Sequence, residues 1–190
     1  MAHITQYLSE HSNNDTLYSD LSQYFKIIDN KQVCMLRYLK GKSPNDFIRK
    51  TRGIIIDKDT QRVICYPLEG KISLQEFKKK NDYSNIVVEE SIDGTLINMY
   101  HYNHTWYFST RSTLNGECFW NSNQSFKELF IDTLSHYNLQ MKQLNTSFTY
   151  SFILCHPETR NVTLYKKPRL YHVLTRDLNS FNEININLGI

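Results

Sequence analysis

Residues 95–109 constrain the fold most. Thr95–His101 and Thr105–Ser109 are rich in β-branched and aromatic residues, the second run carrying Trp106, Tyr107 and Phe108. Tyr102-Asn103-His104 stands between them as a turn. A hairpin this tight joins only antiparallel strands. Further β-rich runs flank it: Gly53–Asp57, Arg62–Tyr66 and Asn85–Val88 before it, and Phe148–Leu154, Asn161–Lys166 and Leu170–Thr175 after it. His156-Pro157-Glu158-Thr159-Arg160 reads as a turn. A helix is expected over about Thr16–Phe25, capped by the loop His11–Asp15. A second is expected over Phe126–Tyr137, where Phe126, Leu129, Phe130, Leu134 and Tyr137 share one face. Ser125 and Glu128 fit a capping box at its start. Few helices fall between strands, so the order predicts an α+β fold of mainly antiparallel sheets with flanking helices. The 190 residues contain no repeat and no linker, which predicts one domain over 1–190 with a substantial core.

Composition removes several classes. The 40% hydrophobic and 13% aromatic content excludes a disordered chain. No apolar run approaches the roughly 20 residues of a membrane helix, and Met1–Gln6 has no signal-peptide character. Cys34, Cys65, Cys118 and Cys155 form no Cys-x-x-Cys pair, so reduced thiols in an intracellular protein are expected. His101 and His104 with Cys118 or Cys155 have no diagnostic spacing, and no metal is expected. Lys78-Lys79-Lys80 reads as a surface turn. The formal charge is only +3, but the bases cluster. One group is Arg37, Lys40, Lys42, Arg49, Lys50 and Arg52; another is Arg160, Lys166, Lys167, Arg169 and Arg176. Each is either a solvated face or a polyanion contact.

Several short motifs stand in a fixed order: Arg52-Gly53 at the head of a β-rich run, Pro67-Leu68-Glu69-Gly70-Lys71, then Ser91-Ile92-Asp93-Gly94 at the head of the hairpin. Ser109-Thr110-Arg111 and Phe152-Ile153, running into the turn His156–Arg160, come after it. Over about residues 35–178 this order resembles the adenylation domain of ATP-dependent RNA ligases of the bacteriophage type. That family has an Arg-Gly strand, a Pro-x-x-Lys-Phe stretch, Lys-x-Asp-Gly, a Ser-Lys-Gly-like motif, and a Phe-Glu strand before Pro-x-Asn-Arg. The resemblance implies the nucleotidyltransferase fold and a nucleotide cleft holding Arg52, Lys71, Asp93, Gly94 and Arg111. It also implies a structural role for Arg160, a match of Thr175-Arg176-Asp177 to an Arg-Asp segment, and residence in the cytoplasm of a virus-infected host cell.

The departures from that pattern bear on activity. Ser91 stands where the family has its nucleophilic lysine, and Ile153 where it has a glutamate. Gly70 takes the place of the lysine after the proline, with Lys71 one position on. A serine hydroxyl with no histidine adjacent in sequence does not match the nucleophilicity of a desolvated lysine amine. The chain also reaches Ile190 without the family's later Glu-Gly and Lys-x-Lys motifs, so a C-terminally truncated, degenerate domain is expected.

The expected function is therefore a catalytically inactive, ligase-like protein that binds RNA, a 5′ end or cap, or a nucleotide through a residual phosphate-binding cleft. Trp120 is a candidate for base stacking. No cofactor is required on this reading, although residual ATP or GTP binding is compatible with it. RNA or a nucleotide is the expected partner, with room for a protein partner and none for a membrane. Two alternatives stay open: an active ligase or nucleotidyltransferase with a relocated nucleophile such as Lys71, and a structural or protein-interaction domain whose cleft has closed.

Overall fold

The computed structural model describes residues 3–11, 14–39 and 45–190. Helices α1 (His3–Ser9) and α2 (Asn14–Ser22) lead into strands β1 (Phe25–Asp29) and β2 (Val33–Tyr38). Helix α3 (Asp46–Thr51) precedes β3 (Ile55–Asp57) and β4 (Val63–Cys65). These strands form an antiparallel sheet in the order β1-β2-β3-β4. After α4 (Leu74–Lys80) come β5 (Thr95–Tyr102), β6 (Thr105–Ser109), α5 (Phe126–Ser135), β7 (Phe148–Cys155) and β8 (Arg169–Asp177). They build a second antiparallel sheet in the order β6-β5-β7-β8.

Strands β2 to β4 of the first sheet are buried on both faces, which is why they read as apolar runs rather than alternating ones, whereas the edge strand β1 exposes Lys26 and Asp29. Cys34, Leu36, Ile54 and Ile56 pack with Ile4, Leu8, Leu17, Leu21 and Ile48 from the helices. Val33, Met35, Ile55, Ile64 and Cys65 turn the other way and meet Tyr100 of β5. On the second sheet Ile97, Met99, Phe108, Phe152 and Leu154 pack against Leu129, Phe130 and Leu134 of α5. Each such side chain removed from water contributes about 1.5–3 kcal/mol before entropy is counted. Where the sheets meet, Tyr66 N–H donates to the buried Thr149 Oγ1 at 3.0 Å, so a backbone donor and a side chain close the junction.

Local rules explain the best-formed elements. Asn103 and His104 form a two-residue loop with φ of 46° and 62°, and Asn is one of the few residues that tolerates this geometry. Ser125 and Glu128 make the expected capping box. Helix α5 ends at Ser135, two residues before the predicted Tyr137. Lys78, Lys79 and Lys80 form the last turn of α4 rather than a turn, where cations complement the helix dipole.

Other expectations are corrected. The helix predicted to reach Phe25 stops at Ser22, because Phe25 opens β1. Part of the capping loop, Ser12 and Asn13, lies outside the described residues, as do Lys40 and Lys42 of the first basic cluster. Asn85–Val88 is not a strand: Val87 and Val88 are 82% and 90% exposed, on a segment that joins neither sheet. Asn161–Lys166 is not a strand either, because its backbone is drawn to Asp93 instead: Val162 and Thr163 N–H donate to that carboxylate. The hairpin β1–β2 and helices α3 and α4 were not anticipated.

Candidate functional site

Beyond their packed junction the two sheets diverge and leave a cleft of about 970 Å³. One wall is built by Tyr38 at the end of β2, Arg49 and Arg52 at the end of α3, and Pro67–Lys71 after β4. The floor is apolar: Leu96 of β5, Ile153 of β7 and Val173 of β8. Leu96 and Ile153 are register partners on adjacent strands, which puts them side by side. Arg111, just past β6, and the segment Glu89–Gly94 leading into β5 complete the lining. The fold thus gathers Arg52, Gly70, Lys71, Ser91, Asp93, Gly94, Arg111 and Ile153 from across the sequence. Trp120 does not line the cleft; it stands 54% exposed on the loop before α5.

The wall is held by ion pairs. Glu69 accepts from Arg49 at 3.3 Å and from Arg176 at 3.4 Å. Arg176 is buried, donates also to Glu183 at 3.0 Å, and lies 4.2 Å over the Tyr66 ring. Gly70 N–H donates to the Arg49 carbonyl at 2.9 Å, and a Cβ on Gly70 would come within 2.9 Å of Arg49 Cγ. Glycine therefore lets the Pro67–Lys71 segment lie against α3.

Of the cations that line the cleft, Arg49 is paired with Glu69, whereas Arg52, Lys71 and Arg111 stand outside any ion pair among the described residues, with Glu89 and Glu90 on the same lining. Arg52 is half-buried and stacks its guanidinium 5.7 Å from the centre of the Tyr38 ring. Burial, and then the charge of nearby Arg111, lower its pKa from the ordinary arginine value. Among the described residues no carboxylate forms an ion pair with Arg52, Lys71 or Arg111. Like charges held together at a partly desolvated site repel one another, and an anion placed between them relieves the cost.

Ser91 is exposed in the cleft, and no histidine lines it. The carboxylates of Glu69, Glu89, Glu90 and Asp93 line the same cleft, but among the described residues none is hydrogen-bonded to the Ser91 hydroxyl, so no general base is in place to activate it. Asp93 has a different task. Its carboxylate accepts from Val162 N–H at 3.0 Å and Thr163 N–H at 2.6 Å, which lowers its pKa below the usual aspartate value. Its carbonyl accepts from Tyr165 Oη at 2.8 Å and Cys155 Sγ at 3.4 Å. The residue fastens the loop after β7 to the cleft. Gly94 is needed for close approach: an added Cβ would lie 2.6 Å from the Leu154 carbonyl oxygen. The Asp-Gly pair is thus a strand entry rather than a tight turn. Arg160 donates from Nε to the Val162 carbonyl at 3.2 Å, holding its own turn.

Tyr38, Glu69, Glu89, Glu90, Leu96 and Val173 line the cleft without being sequence candidates, and Arg49 belongs to the first basic cluster. Leu96 belongs to the β-rich run Thr95–His101, whose strand the sequence marks, but its place on the cleft lining is set by the tertiary fold. The others are brought in by distant contacts. Among the described residues no group of three or more His, Cys, Asp or Glu is placed to hold a metal, and no helix is long and apolar enough to cross a membrane.

No protein-family model matches the sequence. The chain is similar to "Immediate-early protein ICP-46 homolog" of Invertebrate iridescent virus 3, at 33% identity over 57% of this chain and 28% of that protein. It is also similar to "Putative bifunctional polynucleotide kinase/RNA ligase" of Autographa californica nuclear polyhedrosis virus, at 28% identity over 66% of this chain and 21% of that protein. The match thus spans between a fifth and a third of these viral relatives. Among solved structures the chain superposes on "Putative ATP-dependent DNA ligase from Aquifex aeolicus" with a TM-score of 0.56 at 17% identity, covering 90% of this chain and 45% of that one. At that identity the likeness is one of fold.

Proposed function

We propose that this chain, which has an RNA-ligase-like nucleotidyltransferase fold, binds the phosphates of a nucleotide or an RNA 5′ end without forming a covalent nucleotidyl intermediate. The carrying observation is an open cleft in which, among the described residues, Arg52, Lys71 and Arg111 lack carboxylate partners, with Ser91, which the motif resemblance aligns with the attacking lysine, on the same lining. Arginine offers paired N–H groups that match phosphate oxygens, and Lys71 adds a point charge. The apolar floor of Leu96, Ile153 and Val173 suits the face of a base. At about 970 Å³ the cleft is large enough for a nucleotide, and its openness speaks against a domain closed for structural use.

Covalent transfer would need a nucleophile to attack the α-phosphorus, form a bond to it and expel pyrophosphate. Among the described residues the Ser91 hydroxyl is hydrogen-bonded to none of the carboxylates that line the cleft, so no base is positioned to take its proton. A second reading rests on Lys71, whose amine lines the same cleft. The two separate in one experiment: incubation with ATP or GTP radiolabelled at the α-phosphate, with magnesium or manganese, read on a denaturing gel beside equilibrium binding. Binding without a labelled band is expected. A band that disappears in Lys71→Ala would establish the second reading. Neither binding nor label would refute both.

A further inference from the structure

The cleft leaves a second set of features unexplained. Phe119 and Trp120 are 62% and 54% exposed, two large rings held in water on one loop. That loop is anchored. Ser122 Oγ donates to Glu158 at 2.5 Å, which ties it to the turn Pro157–Thr159, and Phe126 N–H donates to the Cys118 carbonyl at 3.0 Å. Past Glu158 the chain runs through Arg160 to Val162 and Thr163, whose N–H groups are held by Asp93 at the cleft. Contacts therefore connect the aromatic pair to the cleft.

Cations follow the same route. Arg160, Lys166, Lys167 and Arg169 are exposed, and no acid occurs between Glu158 and Asp177 in the sequence. Among the described residues none of these four is ion-paired with a carboxylate. Exposed aromatic rings on a loop tied through Ser122 and Glu158 to a segment of unpaired cations are complementary to one class of molecule in particular. Unpaired bases stack on the rings, and the phosphate backbone follows the positive charge.

We propose that Phe119, Trp120 and the basic loop 160–169 form a path for a single-stranded polynucleotide leading to the cleft. The proposal rests on the reading of the cleft as a phosphate site and adds that the ligand is a strand rather than a free nucleotide. A duplex does not fit, because stacking requires bases released from pairing.

The test is fluorescence anisotropy with labelled 5′-phosphorylated RNA and DNA 12-mers of one sequence, a matching duplex, and a labelled mononucleotide. The single strands should bind more tightly than the mononucleotide, and the comparison of RNA with DNA identifies the sugar preferred. Trp120→Ala should weaken 12-mer binding roughly 5- to 150-fold, the range for loss of one stacked base, and leave the mononucleotide unaffected. Trp120→Phe should retain most of the affinity. Changing Lys166 and Lys167 together to Gln should flatten the salt slope by up to about 1.4, at roughly 0.7 per phosphate contact. A 12-mer that binds no better than the mononucleotide, equal binding of the duplex, or indifference to Trp120→Ala overturns the path and spares the cleft. Failure of the wild-type protein to bind mononucleotide and 12-mer alike overturns both. An aromatic surface that captures protein but no polynucleotide also overturns the path.

Discussion

Gly94→Ala is the substitution whose cost can be worked most directly from the structure. Gly94 lies at the entry to β5, directly against β7. An alanine Cβ there would be 2.5 Å from Ile153 Cγ2, 2.6 Å from the Leu154 carbonyl oxygen and 3.1 Å from Cys155 Sγ. The isoleucine methyl can rotate, but the carbonyl belongs to the β7 backbone and moves only if the strands part. Overpacking of this kind costs about 1–3 kcal/mol, and an immovable backbone atom places Gly94→Ala near the top of that range. For a chain of this size each kcal/mol lowers Tm by roughly 2–4 °C, so thermal unfolding followed by circular dichroism should show a fall of roughly 4–10 °C. Ile153→Ala in the same protein should recover only part of the loss, because the carbonyl contact remains. The same displacement carries the segment Glu89–Asp93 away from the second sheet, so nucleotide affinity should fall with stability. A Tm within about 1 °C of wild type, well inside the 2–4 °C expected for a single kcal/mol, would refute the close-approach argument.

Further expectations concern the helix cap, the loop anchor and pH. Ser125→Ala removes half of the capping box and should cost about 1 kcal/mol, read as a lower urea midpoint with an unchanged m-value. Asp93→Asn should loosen the loop at Val162 and Thr163, read as faster amide exchange there. Because the folded-state pKa of Asp93 is lowered, its stabilisation is present above the usual aspartate value near 3.9 and lost as pH falls through the folded pKa. The Asp93→Asn difference should therefore vanish in acid. Burial lowers the pKa of His156 and of His172, so the unfolded chain binds more protons. Stability should fall as pH drops below about 6.5, and His156→Gln should reduce that fall.

What was legible in the sequence was what neighbours decide. The hairpin turn and the Ser125–Glu128 box are settled within a few residues; the box forms as read, and the turn forms one residue tighter, at Asn103-His104, because Tyr102 pairs with Thr105 in the strand. The buried run Val33–Leu36 carried a strand signal that went unused, beside Asn30, whose side chain accepts from Gln32 and Val33 N–H and shapes the β1–β2 turn. Asn161–Lys166 has the composition of a strand, but a carboxylate 69 and 70 positions away takes its N–H groups. Glu69 looked like part of a degenerate motif, and its partners lie 20 and 107 positions away. Arg52 and Arg111 were legible as candidates only through the ordered motifs; that they line one cleft outside any ion pair among the described residues is a product of the tertiary fold.

The central claim is that Arg52 and its neighbouring cations hold phosphate. The most direct measurement is the dissociation constant of one RNA oligonucleotide with and without its 5′-phosphate, for wild type and for Arg52→Ala. A hydrogen bond between charged groups contributes about 1.5–3 kcal/mol, or roughly 10- to 150-fold in affinity. The account predicts a preference of that order for the phosphorylated strand in the wild-type protein, abolished in Arg52→Ala. Equal affinity for the two strands, or a preference that survives Arg52→Ala, would contradict it.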